Sequence, residues 1–381
     1  MTKKHAKLSA SGSSKWLNCP GSVEAESKIP NKSSVYAEEG TLAHELADIC
    51  LKKGIEAKEY IGYNVLYAPE KSGIITEEMA KFVQEYIDYV LAHETKNSQL
   101  YVENKVDFSN FVPGGFGTLD AAIFDRDAGI CNIFDFKYGK GVFVDAVENT
   151  QAQLYGLGFY NELHCLDVIK SFKIHIVQPR MLNYSFWEIT LEDLFKFGKY
   201  ASKKANEALT PNAPRTPGEK QCKWCNAKAT CPALKKHTEE TLLEDFENLN
   251  DKNVMLKKPD QLNSRQLKLI LDNKKLIQGF LESVEEYVKD KVLEGEEFKG
   301  YKLVRSRSNR KWNDKAEEML KNKLGEDAYE KKLIGITVAT EKLKKDEIEE
   351  LTYKPEGKLK LVPFSDKRKE VAKTIDYFDK I

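Results

Sequence analysis

Asp120 and the run Asp135-Phe136-Lys137 stand at the ends of two short apolar segments, and through them this chain could do chemistry. Gly117 to Asp125 reads as one strand, Arg126-Asp127-Ala128-Gly129 as a turn, and Ile130 to Lys137 as the returning strand. A hairpin sets the start of its first strand beside the end of its second, so Asp120 and Asp135 are expected to meet. Two adjacent carboxylates repel each other, and a divalent cation relieves the repulsion. Hard oxygen ligands suit Mg²⁺ or Mn²⁺, which acidify a bound water, orient it and neutralise charge on phosphorus oxygens. Phosphodiester hydrolysis needs such help, because a general base supplies only about 10²–10⁴-fold of an acceleration on the order of 10¹⁵-fold. Lys137 shares a strand face with Asp135 and is expected to reach the phosphate or the attacking water.

The elements that must position these groups follow from periodicity. Thr41 to Lys53 and Thr76 to His93 read as helices, the second with Met79, Phe82, Val83, Tyr86, Ile87 and Val90 on one apolar face. Strands are expected around Leu100–Val106, Gly117–Asp125 and Ile130–Lys137, then a helix from about Val147 to Leu163. Strands near Val168–Val177 and Tyr184–Ile189 and a helix over Leu191–Leu209 complete the run.

This arrangement resembles the PD-(D/E)xK nuclease superfamily, and the flanking residues narrow the likeness to its RecB-like branch. Glu39-Gly40-Thr41-Leu42-Ala43-His44-Glu45-Leu46-Ala47-Asp48 is similar to that branch's Gly-x-x-x-His helix, which implies that His44 is a metal ligand. Gln151-Ala152-Gln153-Leu154-Tyr155 is similar to its Gln-x-x-x-Tyr signature, implying that Gln151 and Tyr155, one helical turn apart, position DNA or brace the lysine. Glu103 sits where some relatives place another carboxylate. The resemblance implies an α/β fold with a restriction-endonuclease-like core, αβββαβ, its mixed sheet flanked by helices. It also implies a metal-dependent DNA nuclease, an exonuclease of phage recombination or replication. In that reading His44, Asp120, Asp135 and Glu103 bind Mg²⁺ or Mn²⁺, while Lys137 steadies the phosphate or water.

The cysteines carry a second signal. Cys222-x2-Cys225-x5-Cys231 follows a Pro-rich loop, Thr210 to Gly218, and Cys19 stands far upstream in Trp16-Leu17-Asn18-Cys19-Pro20. Four thiolates hold zinc or an iron–sulfur cluster equally well, and spacing does not choose. Helicase–nuclease subunits and CRISPR-adaptation nucleases of the RecB-like branch carry one N-terminal cysteine and such a C-terminal triplet, so the resemblance implies a [4Fe–4S] cluster, with Zn²⁺ as the alternative.

Each of these residues has a plainer role when taken singly. An aspartate at a strand end usually forms a turn, and an isolated Asp-x-Lys is usually a solvated face. It is the co-occurrence of His44, Asp120, Asp135, Lys137, Gln151 and Tyr155 in order that points to a site. Cys50, Cys131 and Cys165 lack cluster spacing and read as small buried hydrophobes. His93, His164, His175 and His237 read as surface or satisfied-core residues, and His5 lies in the N-terminal arm.

With 381 residues the chain has length for two or three domains. Its 60 basic and 60 acidic residues cancel, so any DNA contact must come from a local basic groove. No apolar run approaches membrane-spanning length and no leader pattern opens the chain, so no membrane partner is expected. Seven cysteines fit a reducing cytoplasm better than a disulfide framework. Residues 1–240 are expected to form the nuclease region, 241–262 a linker, and 263–381 a mainly helical α+β region of unknown role. Asn263 or Ser264 caps a long helix to about Glu294, lined by Leu267, Ile270, Leu271, Ile277, Leu281, Val284 and Val288. A helix of that length needs a partner, the core or another subunit, which leaves a homo-oligomer open. Gly300 to Trp312 alternates as a strand with a basic tail, which either grips phosphate or is an edge blunted by charge. Helices are expected near Asp314–Leu324 and Lys345–Leu351. With this core and the segments Lys360-Leu361-Val362 and Ser365-Asp366-Lys367-Arg368, the whole chain resembles an uncharacterised family of phage and prophage proteins, which implies the cytoplasm of a bacterial host. Two other functions fit the residues: a nuclease-fold module that binds DNA without cutting it, working with a phage single-strand-binding or annealing protein, and a zinc-stabilised RNA nuclease.

Overall fold

Apolar residues at helical spacing, cut by polar caps, set out the first layer of the computed structural model. It describes residues 6–27, 29, 35–163, 168–243, 263–298, 300, 301, 303, 304, 321 and 322. Two short helices, α1 (Ser13–Trp16) and α2 (Ser22–Glu26), precede α3 (Val35–Lys53). A small hairpin, β1 (Asn64–Ala68) and β2 (Lys71–Ile74), which alternation in the sequence does not announce, leads to α4 (Glu77–Leu91). The Thr76 hydroxyl accepts from the Met79 N–H and starts α4, whose Met79, Ala80, Val83, Tyr86, Ile87 and Val90 are buried.

The sheet follows: β3 (Ser98–Asp107), β4 (Phe116–Asp125), β5 (Ile130–Phe136), helix α5 (Thr150–Glu162), β6 (Ser171–Gln178), β7 (Asn183–Thr190) and helix α6 (Leu191–Leu209). Its spatial order is β3-β4-β5-β6-β7, antiparallel throughout except for the parallel pair β5–β6. A parallel pair needs a long crossover, and α5 is that crossover. Because α5 lies between the sheet and α6, Ala152 through Phe159 are all buried and the helix has little polar face.

Two apolar layers result, one on each face of the mixed sheet. Leu46, Val83, Ile87, Ala121, Ile123, Phe134 and Phe136 build the layer under α3 and α4. Ala122, Phe124, Cys131, Ile133, Leu154, Leu157 and Leu194 build the layer under α5 and α6. Cys50 and Cys131 are buried as expected, and His175 is buried with hydrogen bonds to Asn132 and Tyr89. Cys165 and His164 lie outside the described residues.

Beyond the sheet come α7 (Glu219–Lys223), α8 (Pro232–Leu243) and α9 (Ser264–Leu293). Helical structure therefore runs through residue 240. In α9 the buried positions are Leu276 and Ser283, while the expected apolar positions Leu271 and Leu281 are exposed. Contacts made by its middle, Lys275 with Glu219 and Asn273 with His237, cover one stretch instead of a full-length stripe. The chain divides into two units, Met1–Lys291 and Val292–Ile381. The rest of the expected linker, most of the strand Gly300–Trp312 and the helices near Asp314–Leu324 and Lys345–Leu351 lie outside the described residues. Among the described residues no helix is long and apolar enough to cross a membrane.

Candidate metal centre and the lysine beside it

Strand register brings the acidic residues together. Val102 pairs with Ala121 and Asn104 with Leu119, which sets Glu103 opposite Asp120; Ala121 pairs with Phe134, which sets Asp120 beside Asp135. The three carboxylates thus share one rung of three adjacent strands.

At that rung the alternation of faces slips. Val102 packs in the α3–α4 layer but Val106, four residues on, packs in the α5–α6 layer; Leu119 and Ala121 likewise fall in opposite layers. A strict period of two would keep each pair on one face. Glu103 takes up the slip with a left-handed backbone, φ 47°. Asp120 is thereby free to face α3, while Asp135 and Lys137 stay on the α5 side with Cys131 and Ile133.

From α3, His44 brings Nδ1 within 3.2 Å of Asp120 Oδ1. The other oxygen, Oδ2, accepts the Phe136 N–H at 2.7 Å, taking over a backbone donor where the hairpin ladder ends. The Phe136 ring lies under His44, with centroids 5.1 Å apart, and stacks on Tyr86 at 4.4 Å. On the other side Lys137 Nζ donates to Asp135 Oδ1 at 3.1 Å and to Gln151 Oε1 at 3.2 Å. Gln151 Nε2 donates in turn to the Tyr155 hydroxyl at 3.3 Å. Gly117 makes room for that tyrosine: a Cβ there would stand 2.7 Å from Tyr155 Cε1.

Burial and charge compete at every group. Burial disfavours a charged His44, but the Asp120 carboxylate outweighs it and raises the pKa. Burial likewise pushes Asp120 up, and His44, Lys137 and the Phe136 N–H hold it below the usual carboxylate range. For Asp135 burial prevails, helped by the Asp120 charge, and its pKa is raised despite Lys137. Lys137 is opposed by burial yet raised by Asp135 and Asp120.

His44, Glu103 and Asp120 each offer a donor atom, and these atoms lie within 4.8 Å of one another. They line one small pocket with Asp48, Tyr86 and Phe136. The hydroxyl of Tyr86 is buried with no hydrogen-bond partner among the described residues. Buried polar atoms left so cost about 1–3 kcal/mol each unless water or an ion serves them. The donor set therefore fits a hard divalent cation. The trio is three of the four expected ligands; the fourth, Asp135, 4% exposed, pairs with Lys137 instead.

Sequence reasoning missed Arg180. Its guanidinium, 7% exposed, reaches Glu78 at 3.0 Å and Glu39 at 3.4 Å and lies 4.6 Å over the Tyr138 ring, so it ties the starts of α3 and α4 to the segment beyond β5. A lone arginine in a turn after a buried strand carries no signal in the sequence.

The four cysteines line a second pocket. Gly21 lets the N-terminal arm lie on the Pro-rich loop: its N–H donates to the Pro214 carbonyl at 2.9 Å, and a Cβ there would stand 2.4 Å from the Ala213 carbonyl. The Thr216 N–H points at Cys19 Sγ (3.3 Å) and the Gly218 N–H at Cys222 Sγ (3.5 Å). Burial raises the Cys19 and Cys222 thiols and pushes Cys225 up to about 11, so these sulfurs need a cation before they ionise. Among the described residues no three cysteine sulfurs come within 4.8 Å of one another, whereas tetrahedral zinc with bonds of about 2.3 Å asks for sulfurs ~3.8 Å apart. The N-terminal arm, the hairpin rung, the braced lysine and the cysteine triplet all fall inside one continuous match over residues 5–369, and by that match the chain belongs to the family described as Protein of unknown function (DUF2800).

Proposed function

We propose that this protein is a Mg²⁺- or Mn²⁺-dependent nuclease with a RecB-like PD-(D/E)xK core, hydrolysing DNA phosphodiester bonds from linear ends. One observation carries the reading: a histidine from α3 and carboxylates from one rung meet beside a lysine that α5 braces from the opposite side. His44, Glu103 and Asp120 would hold the cation. When bound it would acidify a water and neutralise charge on the phosphate. Asp135, with its raised pKa, would accept a proton from the attacking water. Lys137, steadied by Gln151 and Tyr155, would bind a non-bridging phosphate oxygen.

The test is cleavage of end-labelled linear and circular DNA by the full chain, each with and without Mn²⁺, beside an RNA of the same sequence. Linear DNA should shorten while circles persist, and chelator should stop the reaction. Asp135→Ala and Lys137→Ala should each lower the rate by at least about 10²-fold with DNA binding retained. Undiminished cleavage by Asp135→Ala protein would remove the site.

We also propose a [4Fe–4S] cluster on Cys19, Cys222, Cys225 and Cys231. The four cysteines line one pocket, and backbone N–H groups point at two of their sulfurs, as befits a cluster's thiolates. Protein purified without oxygen should be brown and contain iron and sulfide; a colourless protein with one zinc would contradict this.

A further inference from the structure

Phe143 lies on the connection between Lys137 and Gln151, so both ends of its loop belong to the candidate site. Its ring is 60% exposed. The backbone around it is nevertheless held from below. Gln178, itself buried, accepts from the Val144 N–H at 2.9 Å and donates to the Val142 carbonyl at 3.0 Å, bracketing Phe143. Asn183, its register partner on β7 and also buried, donates to the Val144 carbonyl and to Gln178 Oε1, both at 2.8 Å. Two buried amides thus fix three residues whose central side chain is apolar and faces water.

This clamp stands at the site end of the sheet, since Gln178 follows Val177, whose carbonyl accepts the Lys137 N–H at 2.9 Å. The turn between the two amides presents a second apolar side chain, Leu182, 83% exposed at a left-handed φ of 52°. Lys140, three residues before Phe143, has a largely exposed side chain whose ammonium lies 4.0 Å from the similarly accessible Glu78 carboxylate, a loose pair that a phosphate can displace. A pre-set aromatic ring with a cation nearby suits an unpaired nucleobase and its backbone, because stacking on a fixed ring loses little conformational entropy.

We propose that Phe143, flanked by Leu182, is a nucleobase-binding residue: its ring stacks on an unpaired base of the strand entering the Lys137 site, so that single-stranded or frayed ends are taken in preference to closed duplex. The proposal rests on the nuclease reading above. It also supplies that reading with a device for holding an end open.

The test uses the full chain with Ca²⁺ in place of Mn²⁺ to hold cleavage off, and three probes: a single-stranded oligonucleotide, the same oligonucleotide with abasic sites, and a blunt duplex. Phe143→Ala should weaken binding of the first about ten-fold and leave the other two nearly unchanged. Phe143→Trp should restore it, and its added fluorescence should be quenched by the intact oligonucleotide and not by the abasic one. Equal affinity in Phe143→Ala, an unquenched Phe143→Trp, or no binding of single strands by the unaltered protein would each overturn the stacking role. If the stacking role fails while Mn²⁺-dependent cleavage persists, the nuclease reading stands alone. Quenching in a protein that cuts nothing supports the base contact and removes the nuclease.

Discussion

Lys137 holds its ammonium between an acid and an amide, and that amide leans on Tyr155. Tyr155→Phe removes one hydrogen bond at the far end of this chain, worth about 0.5–1.5 kcal/mol, so cleavage should fall several-fold and no more. Gly117→Val should cost more than Tyr155→Phe, although it deletes no polar group, because its side chain would drive the whole Tyr155 ring off Gln151. Parallel rate measurements on the two variants check the order; equal rates would show that the ring's position is immaterial. The shared face of Asp135 and Lys137 was legible from period-two alternation, whereas the separation of Asp135 from the trio of His44, Glu103 and Asp120 was not. Alternation assumes an unbroken strand, and Glu103 is where β3 breaks it.

At the scale of the strand, that break sets stability against function. A non-glycine residue at φ 47° costs about 1 kcal/mol or more. Glu103→Gly relieves that strain but removes a donor of the trio, so Mn²⁺ binding should weaken, read by calorimetry; unchanged Mn²⁺ affinity would take Glu103 out of the trio. The middle of the sheet carries a separate, titrating element. Burial, with His93 and Lys173 nearby, lowers His175 to about 3, and its two ring nitrogens meet Asn132 and Tyr89. Its unfolded value is about 6.5, so between these limits the unfolded chain binds the extra proton and stability falls as pH falls. Urea unfolding should lose about 2–4 kcal/mol from this window, and His175→Gln should flatten the slope there. Above about pH 6.5 the two proteins should show parallel profiles.

Over the whole molecule, the cysteine site joins an N-terminal arm to a segment about two hundred residues later, where a cross-link constrains the unfolded chain strongly. Cys222→Ala should lower the unfolding midpoint by several degrees or precipitate the protein. Gly21→Val should do the same with every thiol intact, because its side chain would collide with the Ala213 carbonyl. A soluble, fully active Cys222→Ala protein would make the cross-link dispensable. The single arginine Arg180 acts at this scale too, since it binds α3, α4 and the end of the sheet at once.

Caps, periods and turn residues act between neighbours a few positions apart, so the helices α3, α4, α5 and α6, the hairpin β4–β5 and the shared face of Asp135 and Lys137 were already legible in the sequence. Only the packed molecule separates Asp135 from the donor trio, turns Leu276 and not Leu271 inward on α9, and sets buried Gln178 and Asn183 under Phe143. Those outcomes depend on strand register and on which surfaces meet across dozens of residues, and no local period encodes either.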